Sequence, residues 1–222
     1  RVLCLDAATG TTVWEHAYPA DYSGVQYPSG PRATPTVSGK RIYTFGATGV
    51  LLCLEEQLTG PPKVVWQTNV VTDHGAKVPA WGFASSPLLV DESVIVQPAG
   101  AVAAFDRSTG TVKWKAGDDP AGYSSPVYPT AKLGYVIAVT GTSVLGILPA
   151  TGAVEWSKEF RTQHNGNIAT PLVVGNFVFV SAGYNRGCRV FEVMPDRDNR
   201  SVRVASARDG EKAMSNHHST SV

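Results

Sequence analysis

The amino-acid sequence predicts an all-β protein made of repeated four-stranded antiparallel sheets, and three observations lead to this prediction. Glycine and proline number 22 and 15 among 222 residues, a frequency that favours many short elements joined by turns. Two different motifs each recur four times, and both follow the same rhythm. Between them lie short apolar runs rich in β-branched and aromatic residues, as is typical of strands buried on both faces.

The first motif is a short segment that ends in tryptophan. It reads CLDAATGTTVW at 4–14, and its copies are CLEEQLTGPPKVVW at 53–66, AFDRSTGTVKW at 104–114 and GILPATGAVEW at 146–156. The copy at 53–66 is three residues longer than the others. The Thr-Gly pairs begin at residues 9, 59, 109 and 151, so the sequence repeats every 42 to 50 residues.

The second motif is two small residues followed by proline. Its copies are RATPTV at 32–37, ASSPLL at 84–89, YSSPVY at 123–128 and IATPLV at 168–173. Proline lacks an N–H and is tolerated at the first residue of a strand. We therefore expect a first strand to begin near Pro35, Pro87, Pro126 and Pro171.

Each repeat then continues with the remaining strands in order. Turn signals such as VSGKR, VDESV and VGNFV suit tight hairpins, and they lead to the second strands RIYTF, SVIVQ, YVIAV and FVFVS. A loop, a third strand, the Thr-Gly turn and the strand with tryptophan follow. The turn glycines, which supply a permissive backbone, are Gly10, Gly60, Gly110 and Gly152. Four antiparallel strands at this period predict the blades of a β-propeller.

The pattern Ala-x-Asp-x-x-Thr-Gly-x-x-x-Trp resembles the tryptophan-docking motif of the PQQ-type (quinoprotein-like) β-propellers, which have BamB-like and quinoprotein dehydrogenase-like members. The resemblance runs from Cys4 to about Val193. It implies that each outer-strand indole packs against the neighbouring blade and donates its N–H to a carbonyl there. The residues to which it assigns this role are Trp14, Trp66, Trp114 and Trp156.

The sequence departs from the family pattern at several positions. Cysteine replaces the leading alanine at Cys4 and Cys53, and Leu148 stands where aspartate is usual. The fifth repeat has lost its tryptophan, and we expect Ala205 or Ser206 at about that place.

These motifs divide the chain into blades. We expect a half-blade at 1–18, complete blades at 32–70, 83–117, 123–160 and 168–206, and the start of a further blade at 207–222. Because the sequence opens within a repeat and without an initiator methionine, we expect an open arc from a longer precursor. Family analogy suggests seven or eight blades in all, so the remaining blades would be partners of this arc.

Composition excludes several classes of partner. The net charge of +1 offers no basic stripe of the kind that binds nucleic acid. No apolar run is long enough to span a membrane. The three cysteines, Cys4, Cys53 and Cys188, are too scattered for a disulfide framework or a metal site.

The loops that leave the outer strand and those between the second and third strands share one face of a propeller. Most of the polar and aromatic residues that could act fall in these loops, and Trp81 is the only tryptophan outside the docking motif. The candidate binding residues are Trp81, Asp73, His74, Asp118, Asp119, His164, Asn165, Tyr184 and Arg186. Aromatic and arginine anchors on a rigid scaffold favour a protein or peptide partner, and the family implies a scaffold in the periplasm or cell envelope, or a secreted one, with no cofactor.

The alternative is a fragment of a PQQ-dependent alcohol-type dehydrogenase. The resemblance would then imply PQQ and Ca²⁺, an aspartate base and often a pair of adjacent cysteines, and the sequence has no such pair. Asp118 and Asp119 suit a calcium site or a solvated turn equally well. A hydrolase or zinc site is disfavoured because His16, His74 and His164 lie in different blades and no G-x-S-x-G pattern occurs.

Overall fold

The computed structural model describes residues 1–27, 30–98, 102–129, 133–195, 202–210 and 213–221, with the backbone alone for 195 and 202–210. The first sheet is formed by β1 (Val2–Leu5) and β2 (Thr12–His16), and the second by β3 (Thr36–Ser38), β4 (Arg41–Phe45), β5 (Val50–Glu55) and β6 (Lys63–Asn69). The third sheet comprises β7 (Leu88–Val90), β8 (Ser93–Val96), β9 (Val102–Asp106) and β10 (Val112–Ala116).

Two further sheets complete the described chain. The fourth comprises β11 (Val136–Val139), β12 (Ser143–Ile147) and β13 (Val154–Glu159), and the fifth β14 (Leu172–Val174), β15 (Phe177–Ala182), β16 (Gly187–Pro195) and β17 (Val202–Gly210). Consecutive strands pair antiparallel in every sheet. Over the described ranges no α-helix forms, and the only helical turn is a 3₁₀ turn at Gln163–Asn165. The structure thus confirms the predicted all-β class and its four-stranded antiparallel sheets.

The fourth sheet has a shortened first strand. Val127 makes a single bridge to Ile137, where the neighbouring sheets have a three-residue strand. Pro129, two residues after Val127, cannot donate the next hydrogen bond of the ladder, so the pairing does not extend beyond Val127 as it does in the neighbouring sheets. In the fifth sheet, the predicted boundary at residue 206 falls inside β17.

The tryptophans occupy one register position in four sheets. Each pairs with a third-strand residue at a bulge of the outer strand, as Trp114 does with Ala104, and the extra residue of the bulge directly precedes the tryptophan. The other pairs are Trp14 with Cys4, Trp66 with Cys53 and Trp156 with Gly146. In the fifth sheet the same position pairs Val190 with Arg208. Arg208 therefore stands where a tryptophan is usual, two to three residues beyond the expected position.

The apolar core lies between successive sheets. Separate buried clusters join the first sheet to the second, the second to the third, the third to the fourth and the fourth to the fifth. Each inner sheet is therefore covered on both faces. This explains why its strands are apolar on consecutive residues, since both sides of the pleat are buried.

Two tryptophans bridge neighbouring sheets through the same contact. The indole N–H of Trp66 donates to the carbonyl of Arg107 at 3.0 Å, and that of Trp114 donates to the carbonyl of Pro149 at 2.8 Å. Both acceptors lie in the Thr-Gly turn of the next sheet. A Cβ placed on the glycine of that turn, Gly110 or Gly152, would lie 2.7 Å from the indole ring, so each ring packs directly on a glycine.

The other two tryptophans differ. Trp14 and Trp156 are equally buried, but neither indole N–H has a hydrogen-bond partner in the described part of the chain. Gly60 lies in the Thr-Gly turn of the second sheet, which is the neighbour of the sheet that carries Trp14. A Cβ placed on Gly60 would meet no atom within 4 Å. The docking role of all four tryptophans remains a prediction, and the contact expected from it is present at Trp66 and Trp114.

Hydroxyl side chains join the first strands of neighbouring sheets. The N–H of Thr34 donates to Oγ of Ser86, and the N–H of Ser86 donates to Oγ of Ser125, both at 2.9 Å. The N–H of Thr170 donates to Oγ1 of Thr220 at 3.3 Å. Each of these residues directly precedes the proline position of its small-small-Pro motif. We call this series the hydroxyl relay.

Candidate functional site

Two sets of loops meet on one face of the molecule. The N–H of Phe83, which follows β6, donates to the carbonyl of Ala47 in the β4–β5 turn at 2.9 Å. The N–H of Gly141, in the β11–β12 turn, donates to the carbonyl of Pro120 after β10 at 2.8 Å. These bonds fix the loops after the outer strands to the turns between second and third strands. We call this surface the loop face.

Aromatic rings form a continuous band across the loop face. Trp81 lies 5.0 Å from Tyr123 and 6.4 Å from His164, measured between ring centroids. His164 lies 5.7 Å from Tyr184, which lies 4.6 Å from His217. The aromatic band, comprising these five residues, draws on the loops after β6, β10 and β13, on the β15–β16 turn and on the C-terminal segment.

Sequence reasoning placed Trp81, His164 and Tyr184 on this face but did not single out Tyr123 or His217. Both precede the proline position of a small-small-Pro motif by three or four residues. The small-small-Pro motifs themselves predict only the start of a strand. An aromatic residue just before such a motif is the signal that could have identified them.

The backbone beneath the band is held in an unusual conformation. His164, Asn165, Tyr184 and Asn185 all have φ between 54° and 59°, in the left-handed region that non-glycine residues seldom adopt. Close packing accompanies it, because a Cβ on Gly166 would lie 2.5 Å from the ring of Tyr184. Left-handed non-glycine residues cost roughly 1–3 kcal/mol each and concentrate at functional sites.

A cavity of about 520 Å³ opens beside the band. It lies between the loop after β6, the loop after β10 and the 3₁₀ turn, and polar and apolar groups contribute about equally to its walls. Lys77 and Asp118 bring opposite charges to it, and it shares Tyr123 and His164 with the aromatic band.

The two adjacent aspartates after β10 have different surroundings. Both oxygens of Asp119 accept hydrogen bonds, from Thr140 Oγ1 and Thr142 Oγ1, each at 2.8 Å. Burial raises the pKa of Asp119, but these hydrogen bonds outweigh burial and leave the pKa below its usual value. Asp118 is exposed and makes no hydrogen bond or ion pair with any described residue. Asp119 therefore fixes the loop, and Asp118 is available to a ligand.

Asp73 and His74 are engaged in local structure. The carboxylate of Asp73 accepts hydrogen bonds from the N–H of Asn69 and the hydroxyls of Thr72 and Thr68. These bonds, that of Asn69 foremost, lower the pKa of Asp73 to about 2. Nε2 of His74 lies 3.0 Å from Oγ1 of Thr68, and its ring packs edge-on against Phe105. Neither residue belongs to the aromatic band.

Arg186 lies at the edge of the band. Its guanidinium sits over the ring of Phe160, 4.5 Å from the centroid, a distance suited to a cation–π contact. The role of Arg186 as a binding anchor stays a prediction.

The described residues do not fit a calcium and quinone site of the kind implied by the alternative function. Over the described ranges no group of three or more His, Cys, Asp or Glu side chains is placed to hold a metal ion. The oxygens of Asp119 and Asp73 are already hydrogen-bonded within the protein. The cysteines Cys4, Cys53 and Cys188 are single thiols.

Comparisons with known proteins support the fold. The sequence matches, over residues 1–219, a family described as outer membrane protein assembly factor BamB. The crystal structure of BamB from Moraxella catarrhalis aligns with 94% of this chain at a TM-score of 0.64 and 18% identity. Comparison with curated proteins gave no significant match.

Two other structures share the fold at low identity. Quinohemoprotein alcohol dehydrogenase from Comamonas testosteroni aligns with 86% of this chain at a TM-score of 0.57 and 15% identity. The computationally designed protein Ika8 aligns with 95% at 0.56 and 12% identity. The chain covers 58%, 36% and 56% of the three structures, respectively. No helix in the described ranges has the length and apolar character needed to cross a bilayer.

Proposed function

Because this chain belongs to the family described as outer membrane protein assembly factor BamB, we propose that it is a non-catalytic binding and scaffolding module. Its loop face binds a protein or peptide partner in the bacterial envelope. The propeller repeats supply a rigid support, and the loops supply the contacts. Rigid scaffolds that carry functional loops are common among such folds.

The observation that carries this proposal is the aromatic band. Tyrosine and tryptophan dominate the energetics of protein interfaces because they combine a large apolar surface with a polar group. Here Trp81 and Tyr184 are half-buried in loops from different sheets, and His164 joins them. Left-handed residues hold two of these three rings in place, which reduces the entropy lost on binding.

The charged groups on this face favour binding over catalysis. A general base needs a carboxylate or imidazole that is free to accept a proton and close to a second reactive group. Asp119 and Asp73 have their oxygens occupied, and Asp118 has no titratable partner within bonding distance in the described ranges. A single free carboxylate beside an aromatic surface is suited to recognition.

Site-specific photo-crosslinking tests the proposal. Benzoylphenylalanine is introduced at Tyr184, on the loop face, or at Phe177, which is exposed at the opposite end of β15. In cells of the source bacterium, we expect a discrete adduct with one envelope protein from Tyr184 and none from Phe177. The same adduct should disappear when Trp81→Ala is added.

Two outcomes would overturn the proposal. One is equal crosslinking from Tyr184 and Phe177, and the other is an adduct that persists in the Trp81→Ala background. Oxidation of alcohols by the purified chain with added PQQ, Ca²⁺ and a dye acceptor would instead favour the dehydrogenase. Fractionation of the cells with an antibody to the chain tests the envelope location.

A further inference from the structure

Three residues of the aromatic band present polar groups that are accessible from the loop face. The indole N–H of Trp81, the imidazole of His164 and the hydroxyl of Tyr184 make no hydrogen bond with any described residue. All three lie in one row, and polar groups that remain available beside apolar rings fix the orientation of a ligand. A ligand for this row must offer apolar surface and exposed hydrogen-bond acceptors together.

The cavity beside the row adds charge. Lys77 projects from the loop after β6 and Asp118 from the loop after β10, and neither forms an ion pair within the described ranges. The three described ion pairs lie elsewhere. A ligand that lies between the two loops therefore meets a positive charge on one side and a negative charge on the other.

The spacing of the rings suits an extended polypeptide. The centroids of Trp81 and His164 are 6.4 Å apart, and those of His164 and Tyr184 are 5.7 Å apart. Each separation matches about two residues of polyproline II helix, which rises roughly 3.1 Å per residue. This helix has no internal hydrogen bonds, so its carbonyls are free to accept from an indole or phenol. Proline-rich segments bind aromatic grooves in this way.

We propose that the loop face binds a proline-rich segment in the polyproline II conformation. A basic residue of the segment lies at Asp118 and an acidic residue close to it along the segment lies at Lys77, because both side chains line the same cavity. The rings of the aromatic band contact the prolines, while Trp81 donates its N–H to a carbonyl of the segment. This inference rests on the proposed function and specifies its partner.

Three blocked nonapeptides test the inference. The first is Pro-Pro-Arg-Pro-Pro-Glu-Pro-Pro-Ala, in which Arg and Glu lie about 9 Å apart along the helix, and the second has Arg and Glu exchanged. The third keeps the two charged residues in place and replaces the others by alternating Gly and Ser. Binding is measured by calorimetry and by the ¹⁵N-labelled indole N–H signals of the full chain.

We expect saturable binding of the proline peptides that moves the Trp81 signal and leaves the four buried tryptophans unchanged. One charge order should bind at least threefold more tightly than the other. The Gly-Ser peptide should bind at least tenfold more weakly, because it is not pre-ordered. Trp81→Ala should weaken binding at least tenfold, and Phe177→Ala, at the opposite end of the sheet, less than twofold.

A charge exchange gives the sharpest control. Lys77 and Asp118 are both exposed surface residues, so the double substitution Lys77→Asp and Asp118→Lys leaves the core intact. It should reverse the preference between the two proline peptides. An unchanged preference would show that the charged residues of the peptide do not lie at Lys77 and Asp118.

Other outcomes would overturn the inference as a whole. These are no binding of either proline peptide, equal binding of the Gly-Ser peptide, or movement of the Trp81 signal by an N-acetylated chito-oligosaccharide but not by the peptides. If the peptides fail to bind but the Tyr184 adduct forms and is abolished by Trp81→Ala, only the proline-rich segment is wrong. If no Tyr184 adduct forms even with Trp81 present, the proposed function is wrong.

Discussion

Trp114 and Trp14 occupy equivalent positions in their sheets, but they contact the next sheet differently. Both indoles are 8% exposed and occupy the same register beside a bulge. Trp114 donates to Pro149 and packs on Gly152, whereas the N–H of Trp14 has no partner in the described chain. Burial of the indole and its hydrogen bond are therefore separable.

The difference lies in the turn of the next sheet. Trp114 meets a short turn at 148–153, while the turn that follows Trp14 by one sheet is the copy lengthened by three residues. Leu58 in that turn is 96% exposed, and a Cβ on Gly60 would meet no atom within 4 Å. The acceptor turn, rather than the tryptophan, decides whether docking is complete.

The largest expected effect comes from removing the indole itself. Trp114→Ala should lower the free energy of unfolding by about 3–5 kcal/mol, because a buried aromatic ring and its cavity are lost. Trp14→Ala should cost about 1 kcal/mol less, since it breaks no hydrogen bond. Urea unfolding followed by circular dichroism measures both. Equal losses would abolish the distinction between the two junctions.

Alanine at the turn glycines tests the acceptor side. Gly152 and Gly60 have nearly the same φ, 77° and 78°, so both substitutions carry the same backbone strain. Only Gly152→Ala also drives a Cβ to 2.7 Å from the Trp114 ring, which should add about 1–3 kcal/mol of overpacking. The difference in urea midpoint between the two variants isolates the contact. A larger loss at Gly60 would contradict the assignment.

Phenylalanine removes the indole N–H and keeps most of the ring. Trp114→Phe should leave the carbonyl of Pro149 without its donor and cost about 1 kcal/mol beyond the loss of ring area. Trp14→Phe is the matched control, because the indole N–H of Trp14 donates to no carbonyl of the described chain. Thermal unfolding compares them, and identical shifts would show that the bond to Pro149 contributes nothing.

Acid should weaken the acceptor turn of Trp66 selectively. Hydrogen bonds from the backbone of Thr109, from that of Ser108 and from the Thr109 hydroxyl lower the pKa of Asp106. A lowered pKa means that the stabilisation is present above the ordinary value of 3.8 and is lost as pH falls below it. The Trp66 indole N–H signal should then shift in that acid range.

Two substitutions control this acid effect. Asp106→Asn should abolish the acid-dependent shift of the Trp66 signal. Asp6 accepts equivalent bonds from Thr9 and Ala8 in a turn where Gly10 contacts no indole, so Asp6→Asn should leave that shift unchanged. An identical shift in wild type and in Asp106→Asn would mean that another group is responsible.

The regular part of the fold was predictable because two motifs mark it independently. The strand order, the turn glycines and the register of the tryptophans all follow from their spacing. The motifs gave no sign of the reduced first strand of the fourth sheet, although Pro129, two residues after Val127, was a readable signal. The position of Arg208 was missed because Arg208 follows its partner Val190 by 18 residues, whereas Trp114 follows Ala104 by 10.

The candidate site was less predictable because loop conformations decide it. The sequence does not distinguish the adjacent aspartates Asp118 and Asp119. Only the fold shows that threonine hydroxyls donate hydrogen bonds to the Asp119 carboxylate, while the Asp118 carboxylate makes none with the described residues. Trp81, His164 and Tyr184 come from loops far apart in the chain, and no spacing rule indicates that their rings meet. Left-handed conformations at His164 and Tyr184 are likewise invisible to patterns of hydrophobicity.

The hydroxyl relay has a consequence for joining one more sheet to the series. Ser86 accepts a hydrogen bond from the sheet before it and donates one to the sheet after it, and the links from Thr34, Ser86 and Thr170 all join a backbone N–H to a hydroxyl. A serine or threonine just before the proline position is therefore sufficient to form such a link, whatever the other side chains of the added sheet.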